Sequence, residues 1–252
     1  MSIKNKRPNL HYQHAACTEI GPFLFEPMLK LMQENYTDVT KEQFLNDLEK
    51  KQYIGLLFDD NHILRGFTTY AINPNNSGGD DYAILFSGDT IISPDYWGTM
   101  ELVRGWCLTV ASIMKTHSAK NWYWFLLSKG HRTFMYLPLF FEAYYPSLEA
   151  EPSEQLAQFK LMEEMALQIY PNLYVKGTGI LQFATEGGEL KQELAQTTFE
   201  RAGKKHIDWF VKKNPGFYQG DELICIAKID PNNMKGFAKN FLVRNLKEDE
   251  KV

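Results

Sequence analysis

Apolar positions along this chain recur at two spacings, every second residue and every third or fourth, and the switches between them mark out its elements. Residues 10–18 read as a first strand, closed by Gly21-Pro22. Phe25, Met28, Leu29, Leu31 and Met32 then share one helix face, with Pro27 tolerable in the first turn. Thr40-Lys-Glu-Gln43 is a capping box before Phe44, Leu45 and Leu48, so a second helix starts there. Residues 53–58 and 63–72 flank Asp59-Asp60-Asn61-His62 as the arms of a β-hairpin, and residues 73–80 form a loop.

The stretch from Tyr82 to Tyr145 organises the rest. Residues 82–92 are β-branched and aromatic, and Ser93-Pro94-Asp95 stops that strand and offers a helix N-cap. From Met100 the apolar residues Val103, Trp106, Cys107, Val110, Ala111 and Met114 define a helix with one buried face. Residues 122–127, Trp-Tyr-Trp-Phe-Leu-Leu, are a buried strand, Ser128 to Arg132 a polar break, and residues 134–141 a second apolar helix. Two strands joined through a helix pair in parallel, and ligands of such units sit beyond the strands' carboxyl ends. A site is therefore expected near residues 93–100 and 128–136.

The last third is less regular. Residues 153–170 form an amphipathic helix, residues 174–184 a strand interrupted by Gly177 and Gly179, and residues 189–213 a polar helix with Gly203 as its break. Residues 220–229 are a strand too apolar to stand alone, so residues 151–252 are expected to pack on a core of residues 1–150 and to lend it that strand.

Composition narrows the classes. The chain has 252 residues, 44% hydrophobic and 23% charged, enough for a full core. A net charge of −4 and a pI near 5.9 supply no basic field for nucleic acid. Cys17, Cys107 and Cys225 lack metal or redox spacing and read as small hydrophobes of a reducing, cytoplasmic compartment. No apolar run is long enough for a membrane span, and the histidines show no metal-ligand spacing. Nothing in the pattern sets an oligomeric state.

The order of elements, with Ile92-Ser93-Pro94 ending a strand that feeds a helix, resembles the GNAT superfamily of acyl-CoA-dependent acyltransferases over roughly the first 150 residues. The resemblance implies an α/β (α+β) fold: a mixed, mostly antiparallel splayed sheet flanked by helices. It further implies an acyl-CoA co-substrate whose diphosphate lies on an Arg/Gln-x-x-Gly-x-Gly/Ala turn at a helix N-terminus. The expected contacts are Ile92, Ser93, Tyr96, Trp97, Gly98 and Thr99, with Ser128 and Arg132 from the next strand end.

That turn departs from the family pattern. Trp97 takes the Arg/Gln place and Met100 and Leu102 the small-residue places; a register two residues shorter puts Asp95 and Gly98 there and keeps Met100 last. Side chains at those places hold a diphosphate off the backbone, which makes a phosphopantetheine thioester on an acyl-carrier protein a second donor class. The family's later helix pattern matches at Met135-Tyr136 and Phe141, and by resemblance Tyr136 is the acid that reprotonates the leaving thiolate. Asp89 stands where relatives place a base for the amine nucleophile; the plainer account is an edge or bulge residue beside Gly88, salt-bridged or solvated.

The activity implied is transfer of an acyl group from a thioester to an amine or other small nucleophile, without a metal. The rival is a non-catalytic binding module of the same fold, whose cleft is blocked by Trp97 and Met100. A hydrolase is disfavoured, since Ser128 and His131 have no partner at triad spacing.

Overall fold

The computed structural model describes residues 9–75, 82–182 and 203–248. Eight strands form one sheet in the order β1-β2-β3-β4-β5-β8-β7-β6. They are β1 (His11–Ala16), β2 (Tyr53–Phe58), β3 (Leu64–Asn75), β4 (Tyr82–Ile92), β5 (Asn121–Ser128), β6 (Tyr174–Val175), β7 (Ile180–Leu181) and β8 (Glu222–Lys228). Every neighbouring pair is antiparallel except β4 and β5, which run parallel. This is a mixed, mostly antiparallel sheet, as expected.

Alternation along each strand sorts the helices onto two faces. Ala83 and Leu85 of β4 pack with Tyr70, Trp124 and the helix α3 (Glu101–Thr116). Tyr82, Ile84 and Phe86 point the other way, into a layer shared with α6 (Pro152–Ile169). On that second face, towards β1, lie α1 (Phe25–Asn35) and α2 (Lys41–Leu48), packed over Ile54, Leu56, Phe67 and Ile91. The capping box opens α2 as expected: Gln43 N donates to Thr40 Oγ1 (3.2 Å) and Thr40 N to Gln43 Oε1 (3.3 Å).

Four features differ from the sequence reading. The helix expected over residues 134–141 is two short ones, α4 (His131–Phe134) and α5 (Tyr136–Phe140), because Pro138 has no N–H to return to Phe134. The single strand expected over residues 174–184 is the hairpin β6–β7: Gly177 and Gly179 take φ of +79° and +76° and turn the chain back. β3 runs on through Asn73-Pro74-Asn75, where a loop was expected, and these residues pair with Ile84, Ala83 and Tyr82. A last helix, found only in the structure, lies beyond Ile229.

Of the helix expected over residues 189–213, only the part after Gly203 falls within the described residues, as α7 (Lys205–Lys213), and Gly203 sits at φ +89°. The last helix, α8 (Gly236–Lys247), packs on α3, burying Ala238 and Leu242; Cys107 Sγ donates to the Ala238 carbonyl at 3.5 Å. The 220–229 strand is β8 and lies beside β5, well inside the sheet. All three cysteines are free thiols, Cys107 and Cys225 fully buried. Among the described residues no helix is long and apolar enough to cross a membrane.

Candidate active-site cleft

The cleft originates in a β-bulge. Thr69 pairs with Gly88 and Phe67 with Ile91, so Thr68 alone faces both Asp89 and Thr90. The extra residue bends β4, and Asp89 takes the left-handed conformation at φ +48°. Parallel pairing of β4 with β5 then stops at Ser87 and Leu126, although β4 continues to Ile92 and β5 to Ser128. The two strands part, and a cleft of about 160 Å³ opens between their carboxyl ends.

One wall of the cleft is β4, through Thr90, Ile91 and Ile92, and the opposite wall runs from Lys129 to Thr133. Tyr136 from α5, Leu102 from α3, and Asn35 and Tyr36 from the end of α1 complete it. Tyr136 is half-buried, its ring stacked on Phe140 with 5.9 Å between centroids. Burial pushes its phenol above the ordinary value, so the proton is retained at neutral pH and available for donation.

Trp97 lines the cleft and is partly exposed. Its Nε1 donates to the Ile92 carbonyl at 2.8 Å, and the Arg132 guanidinium lies 3.7 Å from its ring centroid. The side chain thus ties the end of β4 to the start of α4. Met100 is 40% exposed and forms no part of the cleft wall, so it does not block the opening.

The β4–α3 turn is the expected diphosphate cradle, and its amides are largely engaged. Ser93 N donates to the Arg65 carbonyl, Tyr96 N to Ser93, Trp97 N to Pro94 and Thr99 N to Tyr96. Gly98 stands at φ +82°, and Glu101 puts a carboxylate in the first turn of α3, accepting from Arg104 at 3.3 Å. Leu102 is buried against Leu10 and Leu57. Bonded amides, a nearby carboxylate and bulky side chains do not fit a diphosphate.

Not all the residues named from sequence meet at the cleft. Ile92, Trp97, Arg132 and Tyr136 line it, whereas Ser93, Tyr96, Gly98 and Thr99 belong to the adjoining turn. Tyr96 leans instead towards the β2–β3 hairpin, its hydroxyl 3.4 Å from Asp59. Ser128 is fully buried, with Cys225 Sγ donating to its hydroxyl at 3.7 Å. Asp89 turns to the α1–α2 face. Its carboxylate accepts from Thr69 Oγ1 at 2.8 Å and pairs with Lys51 Nζ at 3.6 Å; Lys51 also reaches Asp47 at 3.0 Å. Burial raises the Asp89 carboxyl against the opposing pull of Lys51.

A second ion pair closes the cleft on that face. Lys129 Nζ meets Glu222 Oε1 at 3.2 Å, both side chains nearly covered, and sits 5.1 Å from the Tyr36 ring centroid. Burial raises the Glu222 carboxyl, while burial and the carboxylates of Glu222 and Asp89 raise the Tyr36 phenol. Sequence reasoning passed over Tyr36, Thr90 and Glu222. No motif marks the first two, and Glu222 read as one residue of an apolar strand. Among the described residues no three His, Cys, Asp or Glu side chains are grouped to hold a metal ion.

No family model matches the sequence, and no curated protein matches it. Solved structures are similar at low identity. A protein from Enterococcus faecalis V583, described as a probable N-acyltransferase, matches with TM-score 0.41 and 12% identity over 54% of this chain; the chain spans 33% of its length. A GNAT family N-acetyltransferase (YhbS) from Escherichia coli in complex with CoA gives TM-score 0.38 and 10% identity, covering 54% of this chain and 72% of the other. NAA60 from Arabidopsis thaliana in complex with acetyl-CoA gives TM-score 0.38 and 12% identity, covering 53% and 89%. In each case the similarity takes in only about half of the chain described here.

Proposed function

We propose that this chain is a divergent GNAT-type acyltransferase, moving an acyl group from a thioester to an amine or other small nucleophile. The observation that carries the reading is the cleft where β4 and β5 part, with the raised phenol of Tyr136 on its wall. In the reaction the amine nitrogen attacks the thioester carbonyl, the C–N bond forms and the C–S bond breaks. Tyr136 gives its proton to the departing thiolate and regains one from water, and the proton lost by the nitrogen leaves to solvent. In this reading Asp89 acts on the shape of the strand, since its carboxylate is held by Thr69 and Lys51 on the far face. The poor fit of a diphosphate at the β4–α3 turn favours a donor recognised by its phosphopantetheine arm, free or on a carrier protein, over one recognised by its nucleotide.

The test is thermal denaturation of the full chain with acetyl-CoA, longer acyl-CoAs and acetyl-phosphopantetheine. A ligand at 100 times its dissociation constant adds about 2.7 kcal/mol of stability. Turnover, read as thiol release with an amine present, falls about 10²–10⁴-fold in Tyr136→Phe while donor affinity holds. No stabilisation by any thioester, or full turnover in that variant, sinks the assignment.

Two observations favour the second reading, a non-catalytic module: the engaged amides and the Trp97–Arg132 stack in the cleft wall. Its signature is stabilisation by a thioester with no thiol released.

A further inference from the structure

Behind the cleft lies a smaller chamber of about 30 Å³, on the α3 side of the gap between β4 and β5. Thr90, Leu102, Thr133 and Tyr136 line both spaces, so the chamber is entered past the Tyr136 ring. Its deep walls are Trp106, Trp124, Leu126, Phe141 and Met234, all buried. Trp106 and Trp124 pack with 4.7 Å between ring centroids, and Phe141 is 5.7 Å from Trp124, so the far end is closed by aromatic rings.

Two pairs of polar groups in the chamber wall are bonded to each other. Trp124 Nε1 donates to Ser87 Oγ at 2.6 Å, and the Thr68 and Thr90 hydroxyls share a hydrogen bond at 2.8 Å. The indole Nε1 of Trp106, in a residue only 8% exposed, has no acceptor among the described residues. A buried donor without an acceptor is unusual enough to call for one.

Resting on the acyltransferase reading above, we propose that this chamber receives the acyl group of the donor and restricts it to short chains, with Trp106 as the stop. A water needs about 10–15 Å³ by this measure, so the chamber admits two or three heavy atoms, an acetyl group and not an octanoyl chain. The apolar walls suit the methyl of the acyl group, and the Trp106 N–H leaves a donor for its carbonyl oxygen.

The experiment measures binding of acetyl- and octanoyl-phosphopantetheine to the full chain by thermal shift and calorimetry, then thiol release with an amine present. The wild type is expected to prefer acetyl by at least tenfold. Trp106→Ala and the smaller excision Met234→Ala, on the α8 side, are expected to raise the octanoyl-to-acetyl affinity ratio about tenfold. Met234→Ala keeps the test alive if Trp106→Ala fails to fold. Trp106→Phe, which keeps the ring and loses the donor, is expected to weaken acetyl binding several-fold without raising the ratio. Equal wild-type affinity for the two donors, or a ratio unmoved by every folded excision, overturns the chamber while leaving the acyltransferase reading standing. Binding of neither donor overturns both.

Discussion

Lys51→Met is the most informative single change outside the cleft. Lys51 is 8% exposed in its side chain and holds Asp89 at 3.6 Å and Asp47 at 3.0 Å. Burial opposes its charge, but Asp89 and Asp47 outweigh burial and raise its pKa. Removing one partner of a buried pair costs about 3–5 kcal/mol, because the other charge is left uncompensated. With Asp89 24% exposed, the lower end of that range applies at pH 7. The sign of the pH dependence follows from the direction of the Asp89 shift. Its folded pKa is raised, so the folded state holds a proton that the unfolded state has released, and stability falls as pH rises from the unfolded value towards the folded one. Lys51 limits that rise and the variant does not, so the gap between wild type and variant widens by up to about 1.4 kcal/mol per pH unit. Urea denaturation at pH 5 and pH 7.5 measures it, and adding Asp89→Asn to the variant should recover much of the loss. A gap below about 1 kcal/mol at pH 7.5, a gap equal at both pH values, or no recovery in the double variant would refute the reasoning.

Other consequences are more local. Asp59 accepts from the amides of Ile63 and Asn61 and from Arg65 Nε, and these bonds hold its carboxyl at about 2, below the ordinary 3.8. Its contribution is present above the unfolded value and lost as pH falls towards 2, so Asp59→Asn should flatten the acid limb of melting temperature against pH. Ser87→Ala removes the acceptor of the buried Trp124 indole and should cost about 1–3 kcal/mol, read by denaturant titration. Gly105→Ala should destabilise by about 1–3 kcal/mol despite the better helix propensity of alanine. A Cβ there would stand 2.1 Å from the Tyr12 ring, whose hydroxyl is fixed by Thr109 and Tyr70; melting of the variant checks it.

What could be read from sequence was whatever depends on local periodicity. β2 and β4 run over the residues expected, 53–58 and 82–92, because each is a short apolar run bounded by turn residues. The capping box placed α2 for the same reason. The misses come from interactions across the fold. α8 turns its apolar residues to α3, a partner more than a hundred residues away in sequence. Tyr136 and Arg132 were expected near the strand end because they follow it directly. Tyr36 reaches the cleft from the end of α1, and Glu222 comes beside it from β8, so no spacing could join them to it.

Asp89 shows why the bulge had to be seen. In a regular strand the faces alternate, and one inserted residue moves every later side chain to the opposite face. Here the insertion sets Thr90 on the chamber side, bonded to Thr68, and Asp89 on the α1–α2 side, bonded to Thr69. The same insertion ends the pairing of β4 with β5 and so opens the cleft. A left-handed φ at a non-glycine residue costs about 1–3 kcal/mol and persists only where the surroundings enforce it. The surroundings that enforce it are the Thr69 hydroxyl and Lys51, on the face of the sheet away from Tyr136. The ion pair on that face of the sheet therefore acts as a positioning element for the cleft. Its loss should loosen donor binding along with stability, without touching any group that meets the donor.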